Sequence, residues 1–359
     1  MTATNPCESR QFESEGKIMD KKALLATCLV SGGILPSLSR VKAACRRDVP
    51  ILAYHRVWDI ADEDRFPFDA ELVSASIADF GWQMEYVREN FNPITCETLL
   101  RVLDGRIEAP PRPVVITFDD GFEDNYQNAF PILSALHIPA TIFLSTGYID
   151  GETSFWYDRL AHLILQAPDR TLELKGVPGP LALGPSRASR REVLHRILRA
   201  LKNMPNECRL DVLRYIDAEL GGCFDPTTAI ESRPMNWNQV REMSAAGIEF
   251  GSHTVTHPIL SQLSDTDLAF ELTESRRAIE SQIGKPVECL SYPVGGAAAF
   301  DQRVQHAARR AGYRLAASYI PGTNLVASPL RFGLRRQHVE RYTSRAYFAA
   351  LLGLPELFQ

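Results

Sequence analysis

Pro113-Val114-Val115-Ile116-Thr117-Phe118-Asp119-Asp120-Gly121 is a hydrophobic strand pattern that ends on two adjacent carboxylates and a glycine. Successive strand residues point to opposite faces, so two neighbouring aspartates cannot serve one ligand from a regular strand. At a strand end, with Gly121 permitting a sharp turn, both can converge. Two anions held that close repel each other unless a cation lies beside them. Asp120 is therefore read as a metal ligand, which leaves Asp119 to act as a base toward water. An isolated Asp-Asp-Gly is an ordinary turn leading into a helix cap; a second run gives this one its weight.

That run is Ser252-His253-Thr254-Val255-Thr256-His257-Pro258, placed just after the apolar Ile248-Glu249-Phe250-Gly251. His253 and His257 stand four residues apart, a spacing that suits two nitrogens on one metal. Pro258 disfavours a helical His257, so a turn is expected there. Histidines recur at this spacing by chance, but the pairing with Asp-Asp after another strand is far more specific. Three protein ligands and one open position is the form of a catalytic zinc site. The chain thus reads as a metal-assisted hydrolase with one divalent ion, zinc first, cobalt or nickel as alternatives.

Around these runs the chain alternates strand and helix patterns. Ile51–Tyr54, Val114–Phe118, Ala140–Leu144, Ile248–Gly251, Glu288–Tyr292 and Arg314–Ser318 read as strands, and Gly333–Val339 as a weaker one. Ser74 to Glu89 has apolar residues at helical spacing. Asp265 to Ile283 has Ser264 as N-cap, with Gly284 and Pro286 as stop signals. The alternation predicts an α/β fold, a mainly parallel sheet with helices outside and its chemistry at the C-terminal strand ends. Both motifs lie at such ends. The stretch 155–233 breaks the rhythm and is expected to be a mostly helical insertion, with a Pro/Gly-rich tract from Gly176 to Pro185. Its cluster Arg187, Arg190, Arg191, Arg196 and Arg199 has the spacing of a solvated helix face.

Composition narrows the partners. A net charge of −5 offers nothing to attract nucleic acid. The seven cysteines include no CxxC pair, which argues against a zinc module or a disulfide framework and leaves Asp and His to hold any metal. No protein partner is evident. Residues 1–48 read as an N-terminal extension. Within it Lys21-Lys22 precede an apolar stretch, Ala23 to Leu35, that resembles a secretory signal. Eighteen residues before Met19, the Ser31-Gly32-Gly33 break and Pro36 count against that. A start at Met19 would restore a compact positive leader. A cytoplasmic chain is the expectation, with export the alternative. The stretch is shorter than the roughly 20 apolar residues needed to span a bilayer.

From Val49 to Leu352 the sequence resembles the polysaccharide deacetylases with a NodB-homology domain, carbohydrate esterase family 4. The resemblance rests on Thr117-Phe118-Asp119-Asp120-Gly121, on Ser252 to Pro258, and on the approach from Trp237-Asn238-Gln239-Val240 through Ala246-Gly247-Ile248-Glu249-Phe250-Gly251. It implies a distorted (β/α) barrel of about seven strands and removal of N-acetyl groups from N-acetylglucosamine-type oligomers or polymers. On that match Asp119 is the base, and Asp120, His253 and His257 are the ligands. A third family motif, usually Arg-x-Pro-Tyr-Gly, is similar to Ser291-Tyr292-Pro293-Val294-Gly295-Gly296. Its turn would give the Val294 amide to an oxyanion, but its arginine is missing, and Arg336 is the candidate that orients Asp119 instead. Tyr292, Pro293 and Trp156 are candidate substrate contacts. The family's late Leu-x-His has no clean match, so His55, ending the first strand, is the candidate acid, with His338 the alternative. An amidohydrolase or O-acetyl esterase acting elsewhere could use the same constellation. A silent carbohydrate-binding relative would have no use for the spare Asp119.

Overall fold

The hydrophobic runs become strands that close on themselves. The computed structural model describes residues 21–45, 47–151, 154–224, 232–326 and 330–358, so the alternative start at Met19 lies outside it. Seven strands form the barrel: β1 (Ile51–Tyr54), β2 (Pro113–Phe118), β3 (Thr141–Leu144), β4 (Glu249–Ser252), β5 (Cys289–Ser291), β6 (Leu315–Pro321) and β7 (Leu334–His338). Each pairs in parallel with the next, and β7 returns to β1 through Gln337↔Leu52 and His338↔Ala53. This is the distorted (β/α) barrel that the resemblance implied. The distortion is local. The short strand Asn92–Ile94 takes the first half of β2, so β3 reaches only Thr117 and Phe118, and β4 meets β5 at the single pair Ser252↔Leu290.

Twelve α-helices accompany the strands among the described residues: α1 (Lys21–Ser31), α2 (Leu35–Cys45), α3 (Ile77–Asn90), α4 (Cys96–Leu103), α5 (Phe130–Ala135), α6 (Trp156–Gln166), α7 (Arg187–Lys202), α8 (Asn206–Leu220), α9 (Trp237–Ala245), α10 (Asp265–Ile283), α11 (Gln302–Arg310) and α12 (Arg345–Gly353). α10 begins and ends where its cap signals place it, with Ser264 accepting from the Asp267 amide and Gly284 at φ 66°. α3 starts later than its periodicity suggests. Val73–Ala75 is drawn off to pair with Arg56–Val57, and Ser76 becomes the cap. No single described helix is long and apolar enough to cross a membrane; α1 and α2 are bent from each other by 95°.

Alternation sorts the strand side chains into two cores. Ile51, Val115, Phe143, Cys289, Leu315 and Leu334 pack inside the barrel, whereas Leu52, Ile116, Ile142, Leu290 and Ala316 fill the layer beneath the helices. Gly251 makes room inside, since a Cβ there would lie 2.5 Å from the Phe143 ring. Following the inward parity to the strand ends carries His55, Asp119, His253, Ser291, Tyr319, Arg336 and His338 to the barrel mouth.

The insertion after β3 differs from the expectation in two respects. Its Pro/Gly tract forms part of an antiparallel hairpin, Arg170–Leu172 with Leu181–Leu183, and its arginines are not all solvated. Arg190 is buried and donates to the carbonyls of Ile164, Leu165 and Ala167, while Arg187 donates to those of Leu165 and Phe66. The last carbonyls of α6 have no helical partners, and these guanidinium groups satisfy them. The insertion has an apolar core of its own, including Phe155, Leu160, Ile164, Leu181, Ile197 and Ile216, joined by Phe122 from the loop after β2.

At the base of this core lies a carboxylic acid. Asp158 is buried and accepts from Ser232 Oγ at 3.0 Å, while its Oδ1 accepts no hydrogen bond. Burial pushes its pKa up to about 7, against the opposing pull of Arg56. An unfolded aspartate ionises near ~3.9. Between these values the native chain keeps a proton that the unfolded chain has released, so stability falls as pH rises through the window. Asp158→Asn removes that loss. We predict that urea unfolding at stepped pH will show the variant gaining on the wild type from about pH 4 to about pH 7, with a constant margin above. A difference independent of pH would contradict the assignment.

Candidate active site

Asp119 and Asp120 follow β2, and the turn that brings them together is made by the backbone of Asp120 itself, at φ 76°, with Gly121 at φ 91°. A left-handed aspartate is uncommon, and here it breaks the strand alternation that would otherwise aim the second carboxylate away. Gly121 has a packing reason as well, because a Cβ would lie 2.7 Å from Leu144. Asp120 Oδ1 lies 3.6 Å from His253 Nε2 and 3.4 Å from His257 Nε2. All three residues are buried.

The donor set fits a divalent ion. Two donors each about 2.0–2.2 Å from a tetrahedral zinc stand about 3.3–3.6 Å apart. Asp120 Oδ1 is a buried atom that accepts no hydrogen bond. His253 Nδ1 is 2.8 Å from the Ser291 carbonyl; a carbonyl only accepts, so Nδ1 carries the proton and Nε2 keeps its lone pair for a metal. Both imidazoles are held below the ordinary histidine range, by burial first, with Asp119 opposing at His253 and the His253 charge adding at His257. Neutral rings are what a metal requires. Burial, then the charge of Asp119, drives the Asp120 carboxyl well above the ordinary range.

Asp119 has a different environment. Arg336, fully buried, grips it with two bonds, Nη1 to Oδ1 at 2.8 Å and Nη2 to Oδ2 at 2.7 Å. Ser291 Oγ adds a contact to Oδ2 at 3.3 Å. Burial alone would raise this carboxyl, but the Arg336 charge, with His253 and the Arg336 hydrogen bonds, outweighs it and holds Asp119 well below the carboxylate range. The two neighbours are thus pushed in opposite directions by their partners.

The other expected residues are distributed unevenly. Val294 stands at φ 62°, and among the described residues its N–H makes no hydrogen bond. His55 packs edge-on against Tyr319 at 5.4 Å and is lowered to about 4, by burial first, against the pull of Asp119. His338 lies flat on the same Tyr319 at 3.6 Å, with Nε2 3.1 Å from its carbonyl. Trp156 is half-buried and donates from Nε1 to the His257 carbonyl at 3.1 Å, under the guanidinium of Arg209. Tyr292 is a correction. Its parity is opposite to that of Ser291, so its ring enters the outer core, stacks on Phe300 and donates to the Phe332 carbonyl; it does not face the mouth. Pro293 is also buried. Ser291, Tyr319 and Tyr157, whose ring meets His257 at 5.1 Å, are site neighbours that the sequence reading passed over. For Ser291 and Tyr319, strand parity was the signal that could have found them.

The polysaccharide deacetylase family model matches residues 106–316, more than half of the chain. The chain belongs to this family. YxkH of Bacillus subtilis (strain 168), which carries the family's name, is 20% identical over 275 residues, 76% of this chain and 65% of the relative. The poly-β-1,6-N-acetyl-D-glucosamine N-deacetylase of Escherichia coli (strain K12) is 34% identical over 90 residues, 25% of this chain but only 12% of that protein. Among solved structures, Streptococcus pyogenes deacetylase PplD, in complex with acetate, shares the fold with a TM-score of 0.55 at 20% identity over 83% of this chain and 95% of that one.

The Arg336–Asp119 pair generates a prediction. Removing one partner of a buried ion pair leaves an uncompensated charge and costs about 3–5 kcal/mol. Arg336→Met should lose stability on that scale in urea unfolding. Arg336→Lys, which lacks the planar fork, should fall between it and the wild type. Wild-type stability in Arg336→Met would show that the pair contributes nothing to the fold.

Proposed function

We propose that the protein is a metal-dependent hydrolase that removes N-acetyl groups from an N-acetylglucosamine oligomer or polymer. The observation that carries this reading is the division of labour between two adjacent carboxylates, Asp120 facing two imidazoles and Asp119 facing an arginine. Family membership and the partial match to a poly-β-1,6-N-acetyl-D-glucosamine N-deacetylase support the choice of substrate.

Asp120, His253 and His257 would hold the divalent ion, which when bound supplies Lewis-acid activation of a water and of the acetyl carbonyl. Asp119 takes the proton of the attacking water, its carboxylate kept ionised and aimed by Arg336. The oxygen that becomes negative at the acetyl carbon accepts a hydrogen bond from the Val294 N–H. The C–N bond then breaks as the proton taken up by Asp119 passes through His55 to the departing amine, and acetate is released, which returns both residues to their starting protonation. His55 is neutral in the resting site, and the charge of Asp119 is what most favours its protonated form. His338 is the less suitable donor because its Nε2 is tied to the Tyr319 carbonyl.

The test is acetate release from β-1,6-linked N-acetylglucosamine oligomers, chitooligosaccharides and O-acetylated sugars, with chain stripped of metal and reloaded with zinc or cobalt. We expect metal-dependent release from an N-acetylated oligomer. Asp119→Asn should keep its metal and lose about 10²–10⁴-fold in kcat, whereas His253→Ala and His257→Ala should lose the metal itself. Release only from O-acetylated sugars would make the protein an esterase, and metal-independent release would remove the assignment of Asp120, His253 and His257.

A further inference from the structure

The loop that carries both histidines cannot hold its own shape. Thr254 stands at φ 72° and His257 at φ 54°, conformations that cost a non-glycine residue on the order of 1–3 kcal/mol each. The loop forms no helix or strand, so its backbone groups must find partners elsewhere. On the acceptor side, the carbonyls of Thr254 and Val255 receive the amides of Thr146 and Gly147, and those of Thr256 and His257 receive the Tyr148 hydroxyl and the Trp156 indole. On the donor side, Ser252 Oγ takes the Thr254 amide and Thr254 Oγ1 takes that of His257. The two amides in the middle of the loop go to one side chain on α10.

That side chain is Glu271. Its Oε2 accepts from the Val255 amide at 2.7 Å and the Thr256 amide at 3.0 Å, and its Oε1 accepts from Thr256 Oγ1 at 2.6 Å. The residue is buried, and among the described residues it forms no ion pair. Its charge is felt at the buried Arg209 guanidinium, and a buried carboxylate that makes no direct ion pair is costly unless its oxygens are satisfied by donors. Here every donor belongs to the three residues between the two metal-facing histidines. The carboxylate and the strained loop thus need each other. Nothing else in α10 requires an acid at this position, since its neighbours Leu268, Leu272 and Ser275 pack or bond within the core.

We propose that Glu271 is a positioning residue for the metal centre. By clamping Val255 and Thr256 it fixes the left-handed turn that presents His253 and His257 to one ion, and so it sets metal affinity without touching metal or substrate. This inference rests on the metal reading of the site proposed above. Outer partners of metal ligands, when removed, typically cost about 10–100-fold in affinity. Glu271→Leu removes both acceptor oxygens, so the Val255 and Thr256 amides lose the acceptor they share.

The experiment measures the cobalt dissociation constant of the full chain by competition with a chelating dye, and urea unfolding of the metal-free chain beside it. Glu271→Leu should weaken cobalt binding by about 10–100-fold. Thr256→Val, which removes only the side-chain bond and leaves both amide bonds, should stay close to the wild type. A glutamate needed only for folding would lower the unfolding midpoint and leave the cobalt constant unchanged, and that result overturns the proposal. If Glu271→Leu does not fold, Glu271→Asp decides instead: it keeps the charge but falls one methylene short, so weakened cobalt binding is expected and wild-type affinity overturns. A wild-type chain that binds no cobalt would sink the metal reading first. Unaltered binding in a folded variant would sink only the role of Glu271.

Discussion

One guanidinium spans the barrel mouth. Arg336 on β7 donates to Asp119 beyond β2, to Thr117 in β2, to Ser291 in β5 and to the Ser318 carbonyl in β6. All five of its N–H groups are used, with no water needed. Burying two opposite charges costs several kcal/mol per ion, and the cost is recovered only when geometry is good and the remaining donors are satisfied. Both conditions hold here. The consequence reaches beyond Asp119, because the strands so joined are those whose ends carry the site, and β7 is the strand that closes the barrel on β1. A single buried interaction therefore fixes the Asp119 carboxylate and ties the mouth together.

The neighbouring aspartate is governed by a backbone constraint. Strand parity sends Asp119 inward and would send Asp120 outward into the helix layer. The left-handed turn at Asp120 cancels that parity, and the two carboxylates end up in one site with different partners. Adjacent acids are usually a liability in a buried place. Here one is matched by a fixed cation belonging to the protein, and the other faces two neutral nitrogens. This asymmetry gives the two carboxylates opposite electrostatic environments in place of mutual repulsion.

Much of this was legible in the sequence, for reasons that are physical. β1, β2 and β3 are buried on both faces, so they stand out as near-continuous apolar runs, and the two motifs sit at strand ends where parallel folds place chemistry. Arg336 was visible as a charge inside a strand pattern. The motif taken whole points Tyr292 at the mouth, whereas parity counted from Ser291 sends it to the outer core. The hairpin in the Pro/Gly tract was hidden because each of its strands has only three residues. Helical spacing shows which face Arg190 occupies but not that the end of α6 lies against it. Glu271 was invisible for a related reason: its partners lie 15 and 16 residues upstream, across a loop with no periodicity.

Backbone strain marks the site as clearly as the side chains do. Of the seven non-glycine residues with positive φ among the described residues, Asp120, Thr254, His257 and Val294 belong to it. At about 1–3 kcal/mol each, they cost a sizeable part of the 5–15 kcal/mol by which a domain is usually stable. Such a cost persists only where the surroundings over-determine the conformation. At Asp120 the following amide of Gly121 turns back onto the Asp119 carbonyl, and the Asp120 carbonyl receives Ser145. At Thr254 and His257 the bonds come from β3's loop, the insertion and α10. The insertion is therefore part of the frame of the site. Its Trp156 holds the His257 carbonyl, and its packing against Phe122 connects that hold to the loop bearing the carboxylates. Loosening the insertion would release the histidine loop toward an ordinary backbone conformation, and the geometry that gathers Asp120, His253 and His257 would go with it.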